Sequence, residues 1–261
     1  MTYLIKGFDN NKTYFESNFQ VSKIPTIFIH GVGLDNSMWI PQKTFFSNQS
    51  VIFYDILNHG KSQKGFSELN FQKFSKQLED LLNYLNVKNF NLVGFSIGAL
   101  IAQHYTVKNY KKINKLVLIG SVYKRTGEQI KTVQNRFKNA LKGDSVTIDS
   151  INRWFTKPYL KDNPNVFDFF FKLLEKKKNS DFLSAYKVFV ESDNENLDFS
   201  NFTMPTLIMT GEHEIGSTPK MSKNLQKEIN NSSLCIIKNA KHGVTMEKSE
   251  KVNKQILNFL F

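Results

Sequence analysis

Residues 90–109 read FNLVGFSIGALIAQHYTVKN, and their pattern is the strongest indication of the fold in the sequence. Residues 90–94 are typical of a short buried strand, and residues 97–109 are predicted to form a helix. Between them, the pentapeptide at 94–98 matches G-x-S-x-G at the passage from strand to helix, where this motif forms a sharp, strained turn. Its glycines are needed because neighbouring side chains would clash. Such a turn lifts the hydroxyl of Ser96 above the sheet and aims a helix N-terminus at it.

Strands alternate with helices on both sides of this turn. The predicted strands are residues 3–6, 12–17, 26–29, 51–54, 90–94, 115–120, 206–210 and 234–237. The predicted helices between or after them are residues 70–86, 97–109, 218–230 and 247–260. This alternation predicts an α/β fold with a mostly parallel, eight-stranded sheet and helices on both faces.

The alternation is interrupted once, between residues 122 and 204, where no strand is predicted. Helical patterns occur instead at residues 126–142, 146–155, 165–178 and 181–191. A helical segment of about eighty residues is too long for an ordinary crossover. We therefore expect a helical cap at 122–204, inserted between a first core part at 1–121 and a second at 205–261.

The chain has 261 residues and a formal net charge of +12, a length that suits one large domain with an insertion. Nearly all of the basic residues are lysines, since the only arginines are Arg125, Arg136 and Arg153. Proteins that bind nucleic acids usually rely on arginine for base and phosphate contacts. We therefore expect a solvated lysine surface and no nucleic-acid partner.

A single cysteine, Cys235, excludes a disulfide framework and a cysteine-based zinc site, and it leaves serine as the nucleophile. No apolar run approaches the roughly 20 residues of a membrane span, and no signal peptide is visible at the N-terminus. We expect a cytoplasmic enzyme that acts on a small molecule without a metal or cofactor and without a membrane partner. A homodimer is left open.

A serine hydroxyl needs a base beside it, and the base needs an acid that orients it. His242 lies just after the last predicted strand, which places it at the same sheet edge as Ser96. The loop after strand 206–210 offers two carboxylates, Glu212 and Glu214. The chain order of serine, acid and histidine is the one that such a strand–turn–helix nucleophile uses.

Together with HGVG at residues 30–33 and DILNHGKS at 55–62, these features resemble the α/β-hydrolase superfamily over essentially the whole chain. The resemblance implies that Ser96 is the nucleophile, His242 the base and Glu214 the acid, although aspartate is commoner at the acid position; Glu212 is the fallback. It also implies an oxyanion hole formed by the backbone N–H groups of Val32 and Ile97.

Three segments are similar to the branch of 3-oxoadipate enol-lactonases and related esterases: residues 30–39, the acid loop that ends in Ser-Thr-Pro, and residues 153–156. This resemblance implies cleavage of a small ester or lactone through an acyl-enzyme. It also implies that Trp154 faces the substrate, and Arg153 is a candidate partner for a substrate carboxylate. Two alternatives stay open, namely hydrolysis of a C–C bond in a β-diketone and a non-catalytic small-molecule receptor.

Other residues have a structural interpretation. Hydrogen bonds at strand ends and turns are expected for Asp55, His30 and His59. Four phenylalanines of the predicted cap are candidates to line a pocket, although packing within the cap is the favoured interpretation for each: Phe155, Phe167, Phe170 and Phe171.

Overall fold

A computed structural model describes residues 4–20, 22–143, 146–175 and 179–261 of the chain. Eight strands form one sheet, in the order β1-β2-β4-β3-β5-β6-β7-β8. Their bounds are β1 Ile5–Phe8, β2 Tyr14–Ser17, β3 Thr26–Ile29, β4 Val51–Tyr54, β5 Phe90–Phe95, β6 Ile113–Ile119, β7 Thr206–Gly211 and β8 Ser232–Ile237. The pairs β1–β2 and β2–β4 are antiparallel and all other pairs are parallel, which confirms the predicted sheet.

Helices cover both faces of the sheet. Their bounds are α1 Ile40–Phe45, α2 Phe71–Tyr84, α3 Ile97–Asn109, α4 Gly127–Leu141, α5 Thr147–Trp154, α6 Lys157–Asp162, α7 Pro164–Glu175, α8 Asn179–Val190, α9 Pro219–Glu228, α10 Val244–Glu247 and α11 Ser249–Leu260. Side chains alternate across the sheet: Ile27 and Ile29 of β3 join the core under α2 and α3, whereas Phe28 joins the core under α11. Strands β3, β4 and β5 are buried along their whole length.

Five helices, α4 to α8, stand between β6 and β7, and the described residues of this segment contain no strand. We call residues 122–204 the helical insertion. It begins with a capping box in which the side chains of Thr126 and Gln129 each accept from the other's backbone N–H. Within it, α4 packs on α8 and α5 packs on α7.

Several element boundaries differ from the sequence prediction. The first strand is Ile5–Phe8 rather than 3–6, and Tyr3 lies outside the described residues. The last helix, predicted at 247–260, is α11 Ser249–Leu260, and a separate short helix, α10, precedes it. The two are separated at Lys248, where the backbone leaves the helical region (φ −128°, ψ 42°). The end of the helix predicted at 165–178 falls on residues 176–178, which also lie outside the described part.

Short helices were missed where no long apolar period exists. Helix α6 has six residues and begins with Pro158 in its first turn, a position that proline favours. Helix α1 also has six residues, and it follows a 3-10 turn at Asn36–Trp39. Segments this short contain fewer than two turns, so an amphipathic period cannot be recognised in them.

Candidate active site

Ser96 occupies the turn between β5 and α3 in a backbone conformation that is rare for a residue with a side chain (φ 57°, ψ −120°). Gly94 and Gly98 flank this turn, and neither position has room for a side chain. A Cβ on Gly94 would lie 2.3 Å from the carbonyl oxygen of Gly98, and a Cβ on Gly98 would lie 2.3 Å from that of Ile29. The turn therefore requires both glycines of the motif, as the sequence pattern predicts.

His242 lies in the loop between β8 and α10, and its ring faces the loop that follows β7. There, Oε2 of Glu214 is 2.7 Å from Nδ1 of His242. The other carboxylate oxygen, Oε1, accepts the backbone N–H groups of Gly216 and Ser217. With its side chain only 3% exposed, Glu214 is held in a single position between a turn of its own loop and the histidine.

The environment of Glu214 keeps its carboxylate charged. Burial by itself opposes the charged form, but the His242 ring and the two backbone hydrogen bonds outweigh it and lower the pKa of Glu214 from 4.5 to about 2. An ionised carboxylate beside Nδ1 fixes that nitrogen as a donor and leaves Nε2 free to act as a base.

Glu212, the other candidate acid, is directed elsewhere. Its side chain is 43% exposed, and its Oε2 lies 3.8 Å from Nε2 of His213. The same oxygen accepts the backbone N–H of Asn239 at 3.0 Å. Of the two carboxylates in this loop, only Glu214 forms an ion pair with His242 within the described residues.

A cavity of about 410 Å³ brings Ser96, His242 and Glu214 to one surface. Val32, Arg153 and Trp154 also line it. Ile97 is fully buried at the first turn of α3, where a backbone N–H has no partner within the helix. In the described part of the chain, neither this N–H nor that of Val32 donates a hydrogen bond, so both remain available as donors.

Aromatic rings and a glycine position the His242 ring. Its centroid lies 4.8 Å from that of Phe95 and 6.5 Å from that of Trp154. On another side lies Gly120 (φ 61°), where a Cβ would come within 3.2 Å of Cε1 of the histidine. The backbone N–H of Gly243 donates to the carbonyl of Trp154 at 2.7 Å, which ties the histidine loop to the end of α5.

Buried polar residues hold the loop that carries Val32. His59 Nε2 accepts the N–H of Gly33 at 2.9 Å, and His30 Nε2 accepts that of Ile56 at 3.0 Å. Asp55 accepts the N–H groups of Asn36 and Lys61. These contacts agree with the structural interpretation of His30, His59 and Asp55.

Three of the aromatic side chains that line the cavity come from α8, and the sequence analysis named none of them. Phe182, Tyr186 and Phe189 of α8 line the cavity at a spacing of four and three residues, which is one face of a helix. That period is visible in the sequence and could have identified them. The four candidate phenylalanines do not line it and instead pack with the core: Phe155, Phe167, Phe170 and Phe171.

The described residues contain no group of three or more histidine, cysteine or acidic side chains placed to bind a metal ion. None of the helices found there has the length and apolar character that crossing a bilayer requires. Cys235 is half-buried, and it lies on β8, which is an edge strand.

Comparison with known proteins agrees with this architecture. Residues 25–249 match the family model described as alpha/beta hydrolase fold. A relative from Acinetobacter baylyi, named (E)-2-((N-methylformamido)methylene)succinate hydrolase, is 30% identical over 257 residues, which are 96% of this chain and 95% of the relative. The 3-oxoadipate enol-lactonase 2 of the same species is 21% identical over 238 residues, which are 91% of this chain and 88% of that protein. The enol-lactonase structure from Burkholderia xenovorans superimposes with a TM-score of 0.87 at 19% identity, over 98% of this chain and 99% of that one.

Proposed function

The chain belongs to the alpha/beta hydrolase fold family, and we propose that it is a serine hydrolase that cleaves a small ester or lactone through an acyl-enzyme. Ser96 is the nucleophile, His242 the base and Glu214 the acid of its triad. The observation that supports this most is the 2.7 Å contact between Glu214 and His242, in the cavity that Ser96 also lines. Localisation in the cytoplasm and a capping role for the helical insertion are part of the same proposal.

The reaction would proceed by acyl transfer to water. Oγ of Ser96 attacks the carbonyl carbon while Nε2 of His242 takes the hydroxyl proton, and Glu214 stabilises the resulting imidazolium. The N–H groups of Val32 and Ile97 donate to the oxyanion of the tetrahedral intermediate. His242 then returns the proton to the leaving oxygen as the C–O bond breaks. Water, activated by the same histidine, attacks the acyl-enzyme and releases the acid and Ser96.

Hydrolysis of a different bond is the second candidate. The relative at 30% identity is named for a substituted methylenesuccinate rather than for an ester or lactone. The same three residues would also serve for cleavage of a C–C bond in a β-diketone. Product analysis distinguishes the two reactions. Hydrolysis of an enol-lactone supports the lactonase that we propose, whereas cleavage of a ring-cleavage diketone supports C–C bond hydrolysis.

Replacement of the nucleophile tests the proposal. Ser96→Ala should lower turnover of p-nitrophenyl acetate by on the order of 10⁶, since loss of a triad serine has that effect in other serine hydrolases. Circular dichroism should show the fold unchanged. Ser222→Ala is a matched control, because Ser222 is a buried serine of α9 that does not line the cavity. Full activity of Ser96→Ala would refute the assignment.

A further inference from the structure

The three arginines of the chain all line the cavity that contains Ser96. They are 3 of 35 basic residues, and none of the lysines that the structure describes lines it. The surface charge and the cavity charge therefore have different sources. A guanidinium is the side chain best suited to binding a carboxylate with two parallel hydrogen bonds.

Arg125 is already neutralised by the protein. Its Nη1 lies 2.6 Å from Oδ2 of Asp193, and its side chain is 3% exposed. Nη2 donates to the carbonyl of Phe189 at 3.2 Å, and the guanidinium also lies 4.5 Å from the centre of that ring. Arg125 thus joins the start of the helical insertion to the end of α8. Because Asp193 neutralises its guanidinium, Arg125 is not expected to bind an anionic ligand.

Arg136 and Arg153 have no such partner. Within the described residues neither forms an ion pair with a carboxylate. Nη2 of Arg136 donates to Oγ of Ser150 at 3.3 Å, while its Nε is buried without a hydrogen-bond partner. A buried donor without a partner is costly, so an acceptor is expected beside it.

Helix geometry brings these two guanidinium groups to one wall. One face of α4 and one face of α5, each with residues three or four apart, line the cavity: Gln129, Thr132, Val133 and Arg136, and Ser150, Arg153 and Trp154. Ser150 lies one turn before Arg153 on α5, and it is the residue that Arg136 contacts from α4.

Arg153 is the nearer of the two to the proposed triad. Its Nη2 lies 3.0 Å from the point where a Cβ on Gly216 would stand, and Oε1 of Glu214 lies 3.1 Å from the same point. Burial and then the charge of Arg136 lower the pKa of Arg153, while Glu214 acts in the opposite sense. Glu214 is however engaged by His242 and two backbone N–H groups, so it does not neutralise Arg153.

Glu128 is the remaining carboxylate on the cavity wall, and it is too far from Arg136 to compensate it. It lies eight residues earlier on α4 and is exposed. Eight residues correspond to about 12 Å along a helix axis. In the described part of the chain, these two positive charges on the cavity wall therefore have no ion-paired carboxylate. Like charges held together in partial burial favour a bound anion.

We infer that Arg136 and Arg153 form a carboxylate-binding subsite, and that the substrate is an ester or lactone that carries a free carboxylate. The substrate class rests on the proposed function, whereas the subsite itself does not. The carboxylate lies between α4 and α5, on the wall where Ser150 orients Arg136, and the reacting carbonyl lies at Ser96. Arg125 takes no part in this subsite because Asp193 neutralises it.

Binding of a non-reactive dicarboxylate tests the subsite without catalysis. Isothermal titration of the unaltered protein should show glutarate binding at least about ten-fold more tightly than its uncharged diamide, glutaramide. Arg136→Gln and Arg153→Gln should each weaken glutarate binding by about ten-fold or more. Lys131→Gln is the matched control, since it removes one positive charge from the exposed side of α4, away from the cavity. Equal binding of glutarate and glutaramide overturns the subsite, and so does an equal loss in Lys131→Gln.

A kinetic comparison tests the substrate class. The 4-nitrophenyl monoester of adipic acid and 4-nitrophenyl hexanoate have equal chain length and differ in the terminal carboxylate. The ratio of their kcat/KM values should fall by about ten-fold or more in Arg136→Gln and Arg153→Gln, and should be unchanged in Lys131→Gln. If neither ester is hydrolysed but glutarate binding depends on the arginines, the proposed function fails and the subsite stands. If both are hydrolysed with a ratio that ignores the arginines, the inferred substrate class is overturned.

Discussion

Ser96 is held in a conformation that costs the folded chain on the order of 1–3 kcal/mol, as residues in sparsely populated backbone regions do. Its neighbours enforce that conformation: its N–H donates to the carbonyl of Ile119 at 2.9 Å, and close backbone approaches at Gly94 and Gly98 leave the turn no other path. The strained residue is the one that lines the cavity.

The sequence alone could not show which carboxylate of the loop after β7 faces His242. Glu212 and Glu214 are two residues apart in one loop, so their spacing from the strand favours neither. The turn formed by the N–H groups of Gly216 and Ser217 on Glu214 determines which carboxylate faces His242. The placement of Ser96 and His242 on one cavity could be predicted, because each follows a predicted strand at the same edge of the sheet.

Exchange of each carboxylate for its amide distinguishes the two glutamates. Glu214→Gln should lower kcat by about 10³–10⁴, because an amide can hold His242 in the wrong tautomer and cannot stabilise the imidazolium. Glu212→Gln, the matched control, should remain close to the unaltered protein. Steady-state hydrolysis of p-nitrophenyl acetate by both variants measures this, and the reverse order of activities would transfer the acid role to Glu212.

The lowered pKa of Glu214 predicts a pH dependence of stability. A folded-state pKa of about 2 against 4.5 in the unfolded chain stabilises the fold above pH 4.5, and this contribution is lost as the pH falls towards 2. Its size is on the order of 3 kcal/mol. The difference in the free energy of unfolding between the unaltered protein and Glu214→Gln should therefore shrink between pH 5 and pH 2 in urea titrations. A difference that stays constant over this range would contradict the assigned pKa.

At the scale of elements, the site depends on the contact between α5 and the loop that carries His242. The N–H of Gly243 donates to the carbonyl of Trp154, Lys241 Nζ donates to that of Asn152 at 2.8 Å, and the buried Glu247 accepts the N–H of Thr156 at 3.1 Å. These bonds fix the end of α5 over the histidine, with Arg153 on the same helix. The helical insertion thus contacts the loop of His242, the proposed base, directly.

Gly243→Ala should disturb the contact between the end of α5 and the His242 loop, because the added methyl group has no room there. A Cβ there would lie 2.3 Å from Cε1 of Phe155, and the backbone angle of Gly243 (φ −73°) imposes no strain of its own. We expect a loss of about 1–3 kcal/mol in the free energy of unfolding, together with a fall in kcat/KM. Gly127→Ala at the start of α4 is the control, because its Cβ would meet no atom within 4 Å. Unchanged stability and activity in Gly243→Ala would show that α5 does not need this close approach.

The elements themselves could mostly be predicted. Helix α3 begins and ends at the predicted residues, and the strands at 26–29 and 51–54 agree with β3 and β4, because buried β-branched runs and a long helical pattern leave little ambiguity. Helix α6 and the break at Lys248 could not be predicted, because they depend on contacts between segments far apart in the sequence. Tyr159 of α6, for example, donates to the carbonyl of Met246.

At the scale of the whole molecule, the basic residues behind the net charge of +12 form two groups, the lysines and the arginines, which lie in different places. Lysines supply most of it, and none of those in the described part of the chain lines the cavity. The arginines are few and all lie on the cavity wall. Asp193 neutralises Arg125, whereas Arg136 and Arg153 form no ion pair with any residue that the structure describes. Composition alone shows only that arginine is scarce. Their convergence depends on how α4, α5 and the start of the helical insertion pack together.

Covalent labelling of the intact protein by a fluorophosphonate tests whether Ser96 is an activated nucleophile. The reagent reacts with a serine only where a base activates it and an oxyanion hole stabilises the adduct. We expect one adduct per chain, located on Ser96 by peptide mass spectrometry, and no adduct in Ser96→Ala. The absence of an adduct in the folded protein, or an adduct on another serine, would contradict this assignment.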